Sequence, residues 1–378
     1  MKKLQILAVC VILLAALACS KNDSGLDDII QIEDGVTVVR NPIEPVKVRG
    51  GPTGLVLEQN LCIGIAEGDD NYMFAEVRAV QVDDKDNIFV LDTKLINIKM
   101  YDKEGNYIRT FLKSGQGPEE VGWPSRMYMR DGKIIVILDN RNRKYLEFSN
   151  EGECLKEIRL ADKGSIFRSW PDTLGNIYCE TMDLRQDLQV LKIVKYDSDF
   201  IEAEELASLE LKRTMGEIPV SDPRLICSVR TDNQVMWANN EEYCLHILDP
   251  TGKLVKKIYK DYNPVPFTSK DREEIEKEYK EMGFPPTFKL VFPNEHPVIN
   301  YLINDDRGRT YVCTMEKNEG GQLKWDVFDE KGRYILSFFH REDEYVFVIK
   351  EDQVYSICPE DEEGIPCVNR YALDWLYE

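Results

Sequence analysis

Short runs of apolar and β-branched residues recur along the chain, separated by polar turns rich in aspartate, asparagine and glycine. This pattern predicts β-hairpins rather than helices. One phrase, an aromatic or apolar residue followed by a polar turn and another strand, returns six times. The copies begin at Tyr101, Phe148, Tyr196, Leu248, Phe328 and, in degenerate form, Tyr371. Their spacings are 47, 48, 52, 80 and 43 residues, and four of these match one blade of a β-propeller.

A second phrase, an acidic or polar turn followed by an apolar strand, precedes each copy. It starts at Asp83, Arg130, Asp172, Thr231, Asp305 and Lys350. Each unit therefore contains four strands, and a single four-stranded meander cannot bury both of its faces. Six such units arranged radially can do so. The sequence predicts an all-β fold, a six-bladed β-propeller of four-stranded antiparallel blades.

The long gap of 80 residues contains the one clear helix signal. Thr268 and Asp271 resemble a capping box, and Gly283 ends the segment before two prolines, which predicts an inserted helix near residues 269–283. It is either a surface decoration or a lid over the channel. The last unit has only three strands, so an early strand must complete it, either 55–66 or 37–40.

The N-terminal sequence predicts the localisation of the protein. Two lysines precede an apolar run from Leu4 to Leu17 and then Ala18-Cys19, which is typical of a secretory signal. The residues before Cys19 resemble a lipobox, although Ala16 replaces the usual leucine, so Cys19 is the predicted lipidation site. An ordinary signal peptide with an incidental cysteine is the alternative. We expect a signal peptide at 1–18, a flexible tether at 19–36 and one propeller domain at 37–378, anchored to the outer membrane.

The net charge and the cysteine spacing limit the classes of partner and metal site that the protein could have. The net charge is −20 and becomes −22 without the signal, which argues against nucleic acid. Eight cysteines remain after Cys10 and Cys19, without the close pairs of a zinc site, and most are expected to be buried free thiols. Cys358 and Cys367 are the one pair worth testing for a bridge. We expect a monomer.

The repeated phrases resemble NHL-type propellers, and more narrowly the six-bladed β-propeller lipoproteins of Bacteroidetes. The resemblance runs from about residue 69 to 377. It is carried by the segment 86–92, by Tyr101-Asp102, by Gly105 and by Gly115-Gln116-Gly117-Pro118. Later units lack the Gly-x-Gly-Pro bend. The resemblance implies an exported, membrane-anchored propeller and carries no particular chemistry with it.

The Gly-Gln-Gly-Pro segment is not a phosphate loop. A phosphate loop follows a parallel strand and opens a helix, whereas this segment follows a hairpin and leads to another strand. It is predicted to be a crossover between blades. The three histidines have no metal-binding spacing, no catalytic motif is present, and the acidic pairs at Asp83-Asp84 and Asp305-Asp306 are predicted to serve turns. No cofactor is expected, with calcium as the one candidate.

One group of residues is a candidate ligand site at the channel mouth. Arg78, Arg126 and Arg168 precede the acidic turn of their units by four or five residues, near the crossover into the innermost strand. Asn300 holds this position in a later unit, and Trp123 and Trp170 lie nearby. Guanidiniums suit a carboxylate or sulfate, and indole faces suit a sugar ring. The alternative is that each arginine pairs with a carboxylate of a neighbouring blade.

These observations favour a non-catalytic binding or scaffold lipoprotein of the cell envelope, whose ligand is a glycan, a peptide or a partner protein. The alternative is a metal-dependent hydrolase resembling the gluconolactonase-type propellers, which needs inward-facing carboxylate and amide ligands from several blades. A sensor or assembly subunit is a third possibility.

Overall fold

The computed structural model describes residues 29–285, 287–361 and 363–377. The predicted signal peptide, Cys19 and the tether up to residue 28 lie outside the described residues. The first half of the chain contains β1 (Ile30–Glu33), β2 (Val36–Asn41), β3 (Gly54–Ile63), β4 (Val77–Val82), β5 (Ile88–Asp92), β6 (Asn97–Tyr101), β7 (Tyr107–Phe111), β8 (Pro124–Arg130), β9 (Ile134–Asp139), β10 (Lys144–Ser149), β11 (Cys154–Arg159), β12 (Ser165–Pro171), β13 (Ile177–Arg185), β14 (Leu188–Tyr196) and β15 (Ala203–Lys212).

The second half contains one α-helix and thirteen further strands among the described residues. They are β16 (Glu217–Pro219), β17 (Leu225–Val229), β18 (Val235–Asn239), β19 (Cys244–Leu248), β20 (Leu254–Lys260), α1 (Ser269–Glu281), β21 (Lys289–Val291), β22 (Ile299–Asn304), β23 (Thr310–Lys317), β24 (Leu323–Phe328), β25 (Tyr334–His340), β26 (Tyr345–Lys350), β27 (Gln353–Cys358) and β28 (Cys367–Leu376).

Six antiparallel meanders stand around one axis, which confirms the predicted six-bladed propeller. Blades 1, 2, 3 and 5 are the strand groups β4–β7, β8–β11, β12–β15 and β22–β25, and blade 4 contains β17–β20. The innermost strands β4, β8, β12, β17, β22 and β26 contact one another in that order, and β26 returns to β4. These contacts close the ring around a central channel.

Blade 6 is built from both ends of the chain. Strands β26, β27 and β28 are C-terminal, and β3 supplies the outer fourth strand by antiparallel pairing with β28. Of the two early segments considered from the sequence, the later one therefore completes the last blade. The pairing stabilises the closed ring because opening it would expose the buried faces of blade 6 to water.

The earlier segment has a different position. Strand β2 pairs in parallel with β20 on the outer edge of blade 4, and β1 pairs with β2, so that sheet has six strands. Residues 30–36, which the sequence analysis assigned to the tether, are thus part of the folded sheet. Buried Asn41 fixes this addition: its amide donates to the Gly332 carbonyl at 2.9 Å and accepts from the Tyr334 N–H at 2.7 Å.

The core lies between adjacent blades. Each interface combines buried residues of two neighbouring sheets, as where Val136 and Leu138 of blade 2 pack with Ile177 and Val194 of blade 3. The strands β5 and β9 are apolar on both faces because both faces meet another blade. The ring therefore replaces the single core of a sandwich by a series of interfaces.

Aspartates hold the hairpin turns in a repeated arrangement. Asp83 accepts the N–H groups of Lys85 and Asn87, each at 2.9 Å. The same two bonds, to residues two and four positions further on, recur at Asp102, Asp172, Asp249, Asp305, Asp329 and Asp361. These side chains replace backbone partners in the turn, which explains the acidic phrase in the sequence.

The insertion between blades 4 and 5 contains α1, and the Thr268–Asp271 capping box is present. None of the helix residues is buried. The segment is tied to the propeller by a parallel pairing of β21 with β16, and within the insertion His296 Nε2 lies 3.3 Å from the Asp271 carboxylate. No described helix is long and apolar enough to cross a membrane.

The Gly-rich crossover joins β7 to β8, and the Glu120 carboxylate accepts the Gly117 N–H inside it at 2.8 Å. All eight cysteines among the described residues are free thiols. Cys358 and Cys367 lie directly opposite each other on β27 and β28.

Candidate functional site

The residues that enter the innermost strands define one mouth of the channel. In blades 1, 2 and 4 the carbonyls of Glu76, Trp123 and Arg224 accept equivalent backbone bonds from the turn between the second and third strands. These three residues therefore hold the same structural position in three blades. They form part of a rim, and the predicted site residues follow within a few positions.

A β-bulge shapes this end of the inner strands. Arg78 and Asn300 are the unpaired bulge residues of blades 1 and 5, while Arg126 and Arg168 are the first residues after the bulge in blades 2 and 3. All four residues lie within the first four residues of an innermost strand, so they lie toward the same end of the channel. Their role in binding a ligand stays a prediction.

Three arginines surround a single carboxylate. Arg168 Nη1 lies 3.6 Å from Oε2 of Glu180, which is directly opposite Arg168 on β13. Burial raises the pKa of Glu180, and the positive charges of Arg168, Arg224 and Arg126 oppose this effect. Oε2 is buried and has no hydrogen-bond partner within the described part of the chain. Burial therefore changes the pKa of Glu180 more than the three positive charges do.

The guanidiniums themselves are close enough to influence each other. Burial lowers the pKa of Arg126 and of Arg224, and the charge of Arg168 lowers both further. Nη2 of Arg224 donates to the Asn300 backbone carbonyl at 2.6 Å and to its side-chain oxygen at 3.1 Å, which joins blades 4 and 5. Arg78 is more exposed and forms an ion pair with Glu76 of its own blade at 2.6 Å.

Two tryptophans lie near the arginines, one exposed at the rim and one packed against the neighbouring blade. Trp123 stands on the rim with 57% of its surface exposed. Trp170 follows Arg168 by two residues and packs on Tyr128 of the neighbouring blade, with ring centroids 6.0 Å apart. Burial raises the pKa of Tyr128 to about 12, so its hydroxyl remains a neutral donor. The mouth therefore offers guanidiniums, an amide and aromatic faces together.

Three members of this group, Arg224, Glu180 and Tyr128, were not predicted. The sequence analysis located the arginines by their distance from an acidic turn residue. The turn of blade 4 begins with Arg230 where blades 1, 3 and 5 have an aspartate, so this criterion could not identify Arg224. Tyr128 could have been found, since it follows Arg126 by two residues, as Trp170 follows Arg168. Glu180 is on the second strand of its blade, and only the pairing of β12 with β13 brings it to the mouth.

A cleft lies beside Arg224 at this mouth. Its lining includes Pro223, which precedes Arg224, and residues from both ends of the insertion, Tyr262 and His296 among them. In the residues that the structure describes, no group of three or more His, Cys, Asp or Glu side chains could hold a metal ion.

The comparisons agree with the fold. A family described as "6-bladed beta-propeller" matches residues 67–199. A protein of Bacteroides fragilis that is thought to be exported has a similar structure, with a TM-score of 0.54 and 13% identity, covering 89% of this chain and all of that one. A member of the DUF4221 family from Bacteroides vulgatus gives a TM-score of 0.53 and 11% identity, covering 86% of this chain and 99% of that one.

A gluconolactonase from Xanthomonas campestris is more distant, with a TM-score of 0.47 and 10% identity over 80% of this chain and 87% of that one. No curated protein sequence matches the chain. The family match and the two Bacteroides structures support the six-bladed β-propeller fold, and one of these two neighbours is described as an exported protein.

Proposed function

We propose that this protein is an exported, lipid-anchored binding protein of the cell envelope that holds an acidic glycan at the channel mouth. The observation that carries the proposal is the gathering of Arg78, Arg126, Arg168 and Arg224 from four successive blades of a protein with a net charge of −20. The lipid anchor at Cys19 is proposed from the sequence pattern alone.

The charge balance supports an anionic ligand. Arg126, Arg168 and Arg224 share one internal carboxylate, Glu180, whose own pKa is raised. Three half-buried cations with one reluctant counterion leave positive charge for an external carboxylate or sulfate. Planar guanidiniums bind such groups through two parallel hydrogen bonds, and a half-buried position strengthens those bonds relative to the surface.

The neighbouring groups support a sugar rather than a bare anion. Trp123 offers an exposed ring face at the rim, and apolar faces of pyranose rings pack on such rings. Asn300 is an amide that both donates and accepts, which suits hydroxyl groups. An anionic sugar unit uses the arginines, the amide and the ring together.

The test is calorimetric titration with a trigalacturonate and a sulfated disaccharide, with maltotriose as the neutral control. Arg126→Gln/Arg168→Gln/Arg224→Gln should weaken binding of the acidic sugars at least 100-fold, because each lost charged hydrogen bond costs about 1.5–3 kcal/mol. The matched control is Arg109→Gln/Arg159→Gln/Arg185→Gln, which removes three exposed arginines of blades 1, 2 and 3 outside the mouth. Unchanged binding in the first variant, or equal loss in both, would refute the site.

Binding of an acidic peptide but of no acidic sugar would refute the glycan assignment while keeping the anion site. Binding of maltotriose as tightly as trigalacturonate would show that charge does not select the ligand.

A further inference from the structure

Five large apolar side chains are exposed where the insertion meets blade 3. Scattered apolar residues are normal on a protein surface, whereas a contiguous group indicates contact with a partner molecule or with a membrane. Met215 is fully exposed, so its side chain projects from the surface and does not line a groove. The five residues, which together form the apolar patch, are Leu184, Met215, Met282, Phe284 and Phe288.

Backbone contacts bring the two members of the patch in blade 3 and its exit segment together. The Arg213 N–H donates to the Asp187 carbonyl at 2.6 Å, which joins the segment that leads to Met215 to the turn between β13 and β14. Leu184 is the next-to-last residue of β13, directly before that turn. The two apolar side chains therefore lie on neighbouring segments.

The insertion contributes the other three members. The Lys289 N–H donates to the Gly216 carbonyl at 2.8 Å, and the strands that follow are parallel, so Phe288 and Met215 lie on adjacent segments. The Phe288 N–H donates to the carbonyl of the residue after Phe284 at 3.1 Å, and this turn keeps the two phenylalanines close. The remaining methionine lies two residues before Phe284. The patch thus continues from blade 3 to the end of α1.

The apolar patch lies at the end of the propeller that carries the channel mouth. The mouth is the end at which the innermost strands begin. Ser165, the first residue of innermost strand β12, pairs with Met182, which is close to Leu184 on β13. The insertion leads directly into innermost strand β22 at Ile299. The hairpin of blade 3 and the insertion are therefore both at the mouth end.

The first described residues of the chain lie at this end as well. Strand β1 begins opposite the end of β2, and β2 ends beside the last residues of β20, where the insertion begins. Ile29 and Ile30 pack against the same buried cluster as Tyr262 and Val298, which lie at the two ends of the insertion. Cys19 precedes Ile29 by ten residues, and ten residues span at most about 35 Å.

We propose that the apolar patch contacts the bilayer to which Cys19 is anchored, an inference that rests on the proposed lipid anchor. The anchor keeps the patch near the lipid at a high local concentration, so a few apolar contacts suffice. The net charge of −20 opposes attraction to anionic lipid, so burial of apolar side chains supplies the contact. The channel mouth would then face the same membrane.

The experiment uses the full chain, lipidated in a bacterial host and reconstituted into phosphatidylcholine vesicles that contain a photoactivatable acyl chain. After illumination and tryptic digestion, mass spectrometry should find at least fivefold more lipid label on peptides 214–224 and 281–289 than on peptides 145–156 and 196–212. The last two peptides contain Leu155 and Ile201, which are exposed at the opposite end of the propeller and serve as the internal control.

A pair of variants tests the contact itself. Phe284→Ser/Phe288→Ser should lower the label on peptide 214–224 at least threefold, because two rings no longer enter the lipid. Leu155→Ser/Ile201→Ser, the matched control, should leave that label unchanged. All four residues are exposed, so both variants should melt within about 2 °C of wild type.

The labelling of the wild-type protein decides the matter even where a variant folds poorly. An N-terminal peptide without lipid would overturn the anchor and this inference with it, whereas equal labelling of the control peptides in a lipidated protein would overturn this inference alone. A dimer in detergent that Phe284→Ser/Phe288→Ser dissociates would assign the patch to a second copy of the chain and would also overturn it. Titration with acidic sugars measures the ligand site separately.

Discussion

Replacing Glu180 by glutamine tests whether the charge of this carboxylate opposes binding of an anionic ligand at the channel mouth. The substitution keeps the shape of the side chain and removes a carboxylate on which the charges of Arg126, Arg168 and Arg224 act. A ligand anion held on the far side of one guanidinium would stand about 7 Å from Glu180. At an effective dielectric constant of about 20, two like charges at that distance repel by about 2 kcal/mol.

Glu180→Gln should therefore bind trigalacturonate roughly 30-fold more tightly, since 1.4 kcal/mol corresponds to a factor of ten. The gain should shrink in high salt because ions screen the repulsion. Maltotriose should show no gain. The control is Glu205→Gln, which removes the same charge from outer strand β15 of the same blade, where Glu205 pairs with Lys192 at 2.9 Å.

The pH dependence provides a second measurement. Because the pKa of Glu180 is raised, its carboxylate becomes neutral at a higher pH than an ordinary glutamate when the pH falls. The wild-type protein should then bind the anion more tightly as Glu180 is protonated, while the ligand is still ionised, and Glu180→Gln should lack this step. The raised pKa also means that ionisation of Glu180 disfavours the folded state above that pKa, so the variant should melt no lower than wild type at pH 7.

Anion binding is measured by calorimetric titration from pH 4.5 to 8, and stability is measured by thermal melting at pH 7. Unchanged or weaker binding of the anion by Glu180→Gln would refute the reasoning, because it would mean that Glu180 does not oppose the ligand. A drop in melting temperature would show instead that the carboxylate stabilises the arginines more than its burial costs.

Three further predictions concern stability. Asn41→Ala should lower the free energy of unfolding by about 2–4 kcal/mol, since it leaves the Gly332 carbonyl and the Tyr334 N–H without their partner, whereas exposed Asn60→Ala should cost under about 1 kcal/mol in the same urea titration. Gly332→Ala should cost about 2–3 kcal/mol, because φ is +89° and a Cβ would lie 2.7 Å from Ile258; a loss no larger than that of Gly35→Ala, which has open space at φ +81°, would contradict the close contact. Burial lowers the pKa of His246 to about 4, so the neutral ring stabilises the fold above about pH 6.5, and this contribution fades as the pH falls toward 4. His246→Phe should keep the stacking on Trp237 and reduce this acid sensitivity by about 1 kcal/mol, measured by urea unfolding at pH 7 and pH 4.5.

The number and boundaries of the blades were predictable because each hairpin is a local structure. An aspartate that accepts N–H groups two and four residues ahead shapes its turn within five residues, so the signal stays in the sequence wherever a blade stands. The capping box at Thr268 is local in the same way, and the helix begins where it was predicted.

Contacts between distant segments were only partly predictable. The sequence left open which early strand completes blade 6, because segments 37–40 and 55–66 are both plausible strands. The structure assigns β3 to that role and places β2 in parallel with β20, more than 200 residues away, where the buried Asn41 amide donates to the Tyr259 carbonyl of β20. No local pattern records such a pairing, since its partners meet only when the ring forms.

From the sequence alone one obtains the six-fold repeat, the inserted helix and the positions of Arg78, Arg126 and Arg168 on their strands. The tertiary structure decided that Arg224 joins these arginines and that Glu180 stands among them. It also decided which early strand completes blade 6. The physical reason is that hairpin turns are determined by neighbours in the chain, whereas charges from separate blades and strands from the two ends of the chain are brought together only by closure of the ring.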